Sequence, residues 1–185
     1  NIKNNKNLID CTDTIKRQVN NIQNLVSEFS NFARMPESKF KKHKLHEIIQ
    51  SQINSLVIID ESIDVKYVNK VKDIKLNCDY NQLSRVFLNI LKNSYESHSK
   101  NQKKISVKVT DANDSVNILI EDNGLGFGEN RDKLFEPYIT SKTDGTGLGL
   151  AICKKIIEDH EGEIYLMNSI DFGGACVKIK LYKVN

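Results

Sequence analysis

The sequence predicts an α+β fold: a two-layer α/β sandwich with helices on one face of a mostly antiparallel sheet, preceded by one long helix. Three observations predict it. Apolar residues recur every seven positions over residues 8–33. Two later segments, 45–58 and 80–97, carry apolar residues at helical spacing. Short runs at 105–109, 116–120 and 177–181 alternate apolar with polar residues, as half-buried strands do.

Composition sets the outer limits. At 185 residues the chain holds one ordinary domain with an appendage, and 39% hydrophobic residues are enough for a core. No apolar run approaches the roughly 18 residues of a membrane span, and no signal-peptide pattern opens the chain. The four cysteines (Cys11, Cys78, Cys153, Cys176) are far apart and form no CxxC pair. They are expected to be reduced and buried in a cytosolic setting. The four histidines do not cluster with them, which argues against zinc. Residues 1–44 hold nine Lys/Arg against four Asp/Glu. No aromatics interleave with Lys39, Lys41, Lys42 and Lys44, so this run reads as a solvated linker rather than a nucleic-acid platform.

Each element follows in order. Leu8, Ile15, Ile22 and Phe29 form the heptad; Cys11, Leu25 and Phe32 fill the companion position, with Thr12, Val19, Val26 and Ala33 beside them. That is the seam of a coiled coil or helical bundle, which a lone helix cannot bury. Met35-Pro36 ends it, because proline disfavours helix in the residue before it. After the basic linker 37–44, Leu45, Ile48, Ile49, Ile53 and Leu56 share one face of a second helix. Val65-Tyr67-Val68 and Ile74-Leu76-Cys78 read as strands. Asp79 is an N-cap with Gln82 three residues on, a capping box. The helix it opens buries Leu83, Val86, Phe87, Ile90, Leu91 and Ser94, and sets Asn89 and Asn93 as a polar stripe at the edge of that face. Runs 105–109 and 116–120 make a hairpin about Asp111–Asp114. A helix over 147–159 and a last strand pair, 164–167 and 177–181, complete the layer, with Lys178 and Lys180 outward.

The chemistry concentrates between Glu121 and Ile152, where six of the nine glycines lie. Two glycine clusters flank a polar loop, and the second runs into a helix. Such a helix N-terminus offers free N–H groups and partial positive charge to an anion, so the stretch reads as a phosphate site with a lid. Asp122 ends a strand before two glycines. A carboxylate only accepts hydrogen bonds; it can take one from the exocyclic amine of adenine and repels the carbonyl that guanine carries there. An Asx turn in Asp122-Asn-Gly124 is the plainer alternative. Asn89 and Asn93 are equally a solvated helix edge or oxygen ligands, Asn93 to Mg²⁺ and Asn89 to phosphate or metal-bound water. Residues 145–150 follow no strand, so a dinucleotide fingerprint does not apply.

Taken together, Asn89-Ile-Leu-Lys-Asn93-Ser-Tyr-Glu96, Asp122-Asn-Gly124-Leu-Gly126, Leu134-Phe135-Glu-Pro and Gly145-Thr-Gly147-Leu-Gly149-Leu resemble, in order, the N, G1, F and G2 boxes of sensor histidine kinases. Gly173-Gly174-Ala175 resembles the family's closing glycine motif. The resemblance implies the Bergerat fold of the GHKL ATPases. Ser27-Glu28-Phe29-Ser30-Asn31-Phe32-Ala33-Arg34-Met35-Pro36 resembles the end of the second dimerisation helix of nitrogen-regulation sensor kinases of the membrane-bound kind. Residues 1–36 are then part of a dimerisation and phosphoacceptor domain, 37–44 a linker, and 45–185 the catalytic ATP-binding domain.

By the same resemblance the cofactors are ATP and Mg²⁺. Asn93 holds the metal, Asn89 contacts the phosphates, and Asp122 binds adenine in a pocket shaped by Gly124 and Gly126. Phe135 to Thr146 form the ATP lid, bringing Thr140, Lys142, Gly145 and Thr146 to the nucleotide, and Gly147, Leu148, Gly149 and Leu150 cradle phosphate. Asn89, Asn93 and Lys142 are the catalytic set. ATP-hydrolysing relatives place a glutamate base where this chain has Asn89, and an amide takes no proton from water, which fits a kinase. None of His43, His46, His98 and His160 lies in the family's phosphoacceptor setting; all four are expected at the surface. The phosphoacceptor helix is therefore expected outside this chain, which would bind Mg-ATP without phosphorylating itself. The implied partners are that helix, a second copy in the full-length protein, and a response-regulator receiver domain, on the cytoplasmic side of a bacterial inner membrane. Two rival readings are a nucleotide-ordered interaction module without catalysis and a GHKL ATPase. Glu96, where some histidine kinases carry a basic residue, and Phe127-Gly128, in place of a proline turn, depart from the pattern.

Overall fold

The computed structural model of the protein describes residues 2–71, 74–97, 102–140, 142 and 145–183. It begins with α1 (Ile2–Ala33), a single helix of 32 residues. Ile9, Ile15, Val19, Ile22, Leu25, Val26 and Phe29 are all exposed on it. The side chains of Leu8 and Phe32, expected on the same seam, lie outside the described residues. Cys11 was expected to be buried with the other cysteines; it is exposed, because it stands on this uncovered seam.

The sandwich follows. A five-stranded sheet runs in the order β2 (Asp64–Asn69), β4 (Lys104–Ala112), β5 (Ser115–Asp122), β7 (Ala175–Tyr182), β6 (Glu163–Asn168). All its pairings are antiparallel except β2 with β4. Val107, Ile120 and Val177 stand opposite one another across three strands, as do Val109, Ile118 and Ile179. These rows make the inner face, against which α2 (Leu45–Ile59), α3 (Tyr80–Glu96) and α4 (Gly149–Asp159) pack. Alternation sends Lys108, Leu119, Lys178 and Tyr165 to the other face. The β4–β5 hairpin turns on Asn113, whose φ of 58° suits asparagine.

Helix α3 is the centre of the core. Leu83, Val86, Phe87 and Leu91 are 0% exposed, and Ile90 and Ser94 are buried beside them, as the periodicity predicts. Burying each large apolar side chain contributes about 1.5–3 kcal/mol. Asp79 caps the helix, its carboxylate accepting from the backbone N–H of Asn81 and Gln82 at 2.9 and 3.0 Å. Half of the expected capping box is replaced. Gln82, itself buried, instead donates to Pro36 O and accepts from Ser38 Oγ, and the Asp79 N–H goes to His160 Nε2 at 3.0 Å.

The basic run 37–44, expected as a linker, is built into the fold. Lys41–Lys44 form β1, antiparallel to β3 (Lys75–Cys78). The Lys39 N–H donates to Asp79 Oδ2, and Phe40 lies 5.0 Å from the His160 ring. Composition marks this segment as solvated. Its partner strand lies some thirty residues on, and only that pairing gives its backbone groups somewhere to go. His160, expected at the surface, is half-buried for the same reason; His98 lies outside the described residues.

Candidate nucleotide site

Asp122 is the last residue of β5 and 1% exposed. Its Oδ1 accepts from the N–H of Gly124 at 2.9 Å and of Ala175 at 3.1 Å, and the Ser97 hydroxyl stands 3.5 Å away. The Asx turn is therefore present, and it uses one carboxylate oxygen. The same bonds fix the carboxylate's orientation. Gly174 backs it: a Cβ there would lie 2.5 Å from Asp122 Oδ1, so only glycine permits this approach.

From Asp122 a row of polar residues climbs one side of α3. Ser97 caps the helix, Asn93 lies one turn back, and Asn89 another. At 1.5 Å rise per residue, Ser97 and Asn89 are about 12 Å apart along the axis. Ser97 was not anticipated as part of this row, although its spacing of four from Asn93 continues the stripe. Asn89 Nδ2 reaches Gly149 O at 3.5 Å, which puts the upper end of the row beside the start of α4. Leu148 provides no side-chain cap there, so first-turn N–H groups of α4 are left for an anion.

The helix begins at Gly149, two residues later than the periodicity suggests. Gly147 has φ +69°, which no helix accommodates, and a Cβ on it would lie 2.5 Å from the Tyr138 carbonyl carbon. Tyr138 donates its N–H to Gly147 O at 3.1 Å, closing the base of the lid. Leu148 is 0% exposed, and Leu150 packs against the core. Their side chains are thus anchors, and only their backbone can face phosphate. Leu148 N–H donates to Thr146 Oγ1 at 3.4 Å, and the Thr146 hydroxyl donates to Glu28 of α1.

Within the lid, Ser141, Thr143 and Asp144 lie outside the described residues. Thr140 Oγ1 accepts from Lys142 N–H at 3.1 Å, and a Cβ on Gly145 would stand 2.7 Å from that oxygen. Lys142 Nζ crosses to α3, donating to Asn93 Oδ1 at 2.9 Å and to Glu96 Oε2 at 2.7 Å. Asn93 thus already offers its oxygen to a cation. The described residues contain no group of three His, Cys, Asp or Glu side chains able to hold a metal. A metal here would need phosphate oxygens and water beside Asn93, which suits Mg²⁺. Gly126, at φ +76°, brings the chain after Asp122 against Asn168, which accepts the Phe127 N–H at 2.7 Å.

Three cysteines flank this architecture without serving it. Burial pushes Cys78 and Cys176 up to about 11 and Cys153 up to about 12.

These features define an ATP-binding domain. The family model for histidine kinase-, DNA gyrase B- and HSP90-like ATPases matches residues 78–185, more than half of the chain, and the chain belongs to that family. Its domain is of the histidine-kinase kind. It is 36% identical over 168 residues to a Rickettsia conorii protein described as an NtrY-like sensor histidine kinase, covering 90% of this chain and 28% of that protein. The catalytic domain of histidine kinase ThkA, in a nucleotide-free form, superposes with a TM-score of 0.70 at 30% identity, covering 78% of this chain and 96% of that one. ThkA in complex with response regulator protein TrrA gives 0.78 at 23% identity over 93% of this chain and 50% of that one, a likeness of fold. The chain spans about a quarter of the length of the curated relatives it matches.

Proposed function

We propose that the chain is the ATP-binding catalytic part of a sensor histidine kinase of the nitrogen-regulation type. Its reaction would be transfer of the ATP γ-phosphoryl group to a histidine on a helix outside the chain, for relay to an aspartate of a response-regulator receiver domain. The observation that carries this reading is the row Ser97–Asn93–Asn89, which begins at Asp122 and ends at the start of α4. It has an adenine-selecting carboxylate at one end and an anion-binding helix terminus at the other.

In this reading Asp122 accepts from the adenine amine with the oxygen that the Asx turn leaves over. Asn93 lends its amide oxygen to Mg²⁺, which supplies charge neutralisation at the phosphates when bound. Asn89 and the first N–H groups of α4 hold the phosphate chain, and Lys142 reaches a terminal phosphate from the lid as a point charge. Gly124, Gly126, Gly145 and Gly147 shape the backbone around them, while Thr140 and Thr146 position the lid. An amide at 89 cannot act as a general base toward water, so ATP stays intact until the acceptor histidine arrives.

Two of the described histidines are tied into the fold: His160 accepts the Asp79 N–H, and His43 packs on Tyr80 at 5.5 Å. This supports an acceptor supplied from outside. Residues 1–36 would belong to the dimerisation domain, their exposed seam covered by the acceptor helix and a second copy. No helix among the described residues is long and apolar enough to cross a membrane. The chain would be the cytoplasmic part of an inner-membrane sensor.

Calorimetric titration of a non-hydrolysable ATP analogue tests the site. Wild type should bind in the presence of Mg²⁺, Asp122→Ala should not, and Asn93→Ala should lose the Mg²⁺ dependence. Absence of adenine-nucleotide binding by wild type would overturn the reading.

A further inference from the structure

Glu96 has no part in the roles above, yet it is the group that holds Lys142. Its Oε2 lies 2.7 Å from Lys142 Nζ, and its Oε1 lies 3.7 Å from Lys92 Nζ. Asn93 and Glu96, three apart on α3, face the same side of the helix. Lys142 Nζ sits between them, 2.9 Å from Asn93 Oδ1. The side chains of Glu96 and Lys142 are 36% and 37% exposed, so their interaction is only partly screened by water. A compact cation thus already occupies the Asn93 oxygen, neutralised by a carboxylate one turn along.

We infer that Glu96 makes this site select metal-loaded over metal-free nucleoside triphosphate. The inference rests on the nucleotide reading of the site given above. A bare triphosphate has to draw Lys142 away from Glu96, and it leaves that carboxylate facing phosphate oxygens, like charge against like charge. A triphosphate that arrives with a divalent cation exchanges one cation for another. Asn93 would offer its oxygen to the dication, whose charge would offset that of Glu96. Lys142 is then released to the terminal phosphate without stranding a charge. Glu96 is a positioning residue for Lys142 and a specificity residue for the metal.

The test is the affinity of a non-hydrolysable ATP analogue for wild type, Glu96→Gln and Lys142→Ala, each measured in excess Mg²⁺ and in excess chelator. Glu96→Gln should bind the metal-free analogue about two- to fivefold more tightly than wild type, the range for a partly exposed charge contact. Its affinity in Mg²⁺ should change much less, so the ratio of the two affinities falls. Lys142→Ala, which leaves Glu96 uncompensated, should raise that ratio. An unchanged ratio in Glu96→Gln overturns the inference while leaving the nucleotide site standing. So does an equal loss in both conditions for Lys142→Ala. A wild type that binds the analogue in neither condition overturns both. Unchanged melting temperatures distinguish a shift in selectivity from damage to α3.

Discussion

The backbone of Gly174 presses directly on Asp122. A Cβ at 174 would lie 2.3 Å from Asp122 O, 2.5 Å from Asp122 Oδ1 and 2.5 Å from Gly124 N. The start of β7 therefore orients a carboxylate that belongs to β5. Gly174→Ala should weaken adenine-nucleotide binding by more than about tenfold, since the carboxylate's charge-assisted contact is worth about 1.5–3 kcal/mol. Gly128→Ala, where a Cβ meets nothing within 4 Å, should leave binding unchanged. Titration of both variants checks this.

Asp122→Asn tests base selection. The amide oxygen can keep the bonds from Gly124 and Ala175 N–H. The amide NH₂ then points where the second carboxylate oxygen was, and a donor there no longer matches the adenine amine. ATP affinity should fall by about tenfold or more, while the preference over GTP narrows. Competition between the two nucleotides reads it directly.

Asp79 should make the fold acid-sensitive. Burial opposes its ionisation, but N–H donors from Lys39, Gln82 and Asn81 outweigh this and hold its carboxyl below the ordinary 3.8. A folded value below the unfolded one contributes stability that is present above about pH 4 and lost as pH falls through the folded value. Asp79→Asn should therefore melt lower than wild type at pH 7, and the gap should shrink below pH 4. Melting curves from pH 3 to 7 check the sign.

Thiol labelling separates the cysteines. Cys11 is exposed, whereas Cys78, Cys153 and Cys176 are buried and pushed up to about 11, 12 and 11. At pH 8 without denaturant, a thiol-reactive dye should modify Cys11 rapidly and the other three only on unfolding. Cys11→Ser should remove the fast phase.

What was legible in the sequence was local. The apolar face of α3, the N-cap at Asp79 and the alternating strands each rest on neighbours within a few residues. The order of the glycine boxes made the ATPase family legible as well. Ser97 escaped notice because a hydroxyl at a helix end is an ordinary cap until Asp122 is seen beside it. The strand 41–44 escaped because a basic run shows no alternation, and its pairing with 75–78 is made across the whole of α2.

Local pattern alone was enough for the α+β class, the core of α3, the apolar heptad of α1 and the expectation that Asn89, Asn93, Asp122 and the glycine runs belong together, though not for Ser97. The arrangement of these residues came from packing across the chain. That packing aligned β2 parallel to β4, laid Gly174 on Asp122, brought Asn89 to the start of α4 and placed Lys142 between Asn93 and Glu96. Periodicity and capping arise from contacts within a turn or a strand. These other contacts join residues some forty to sixty positions apart, and their geometry exists only once the core has packed.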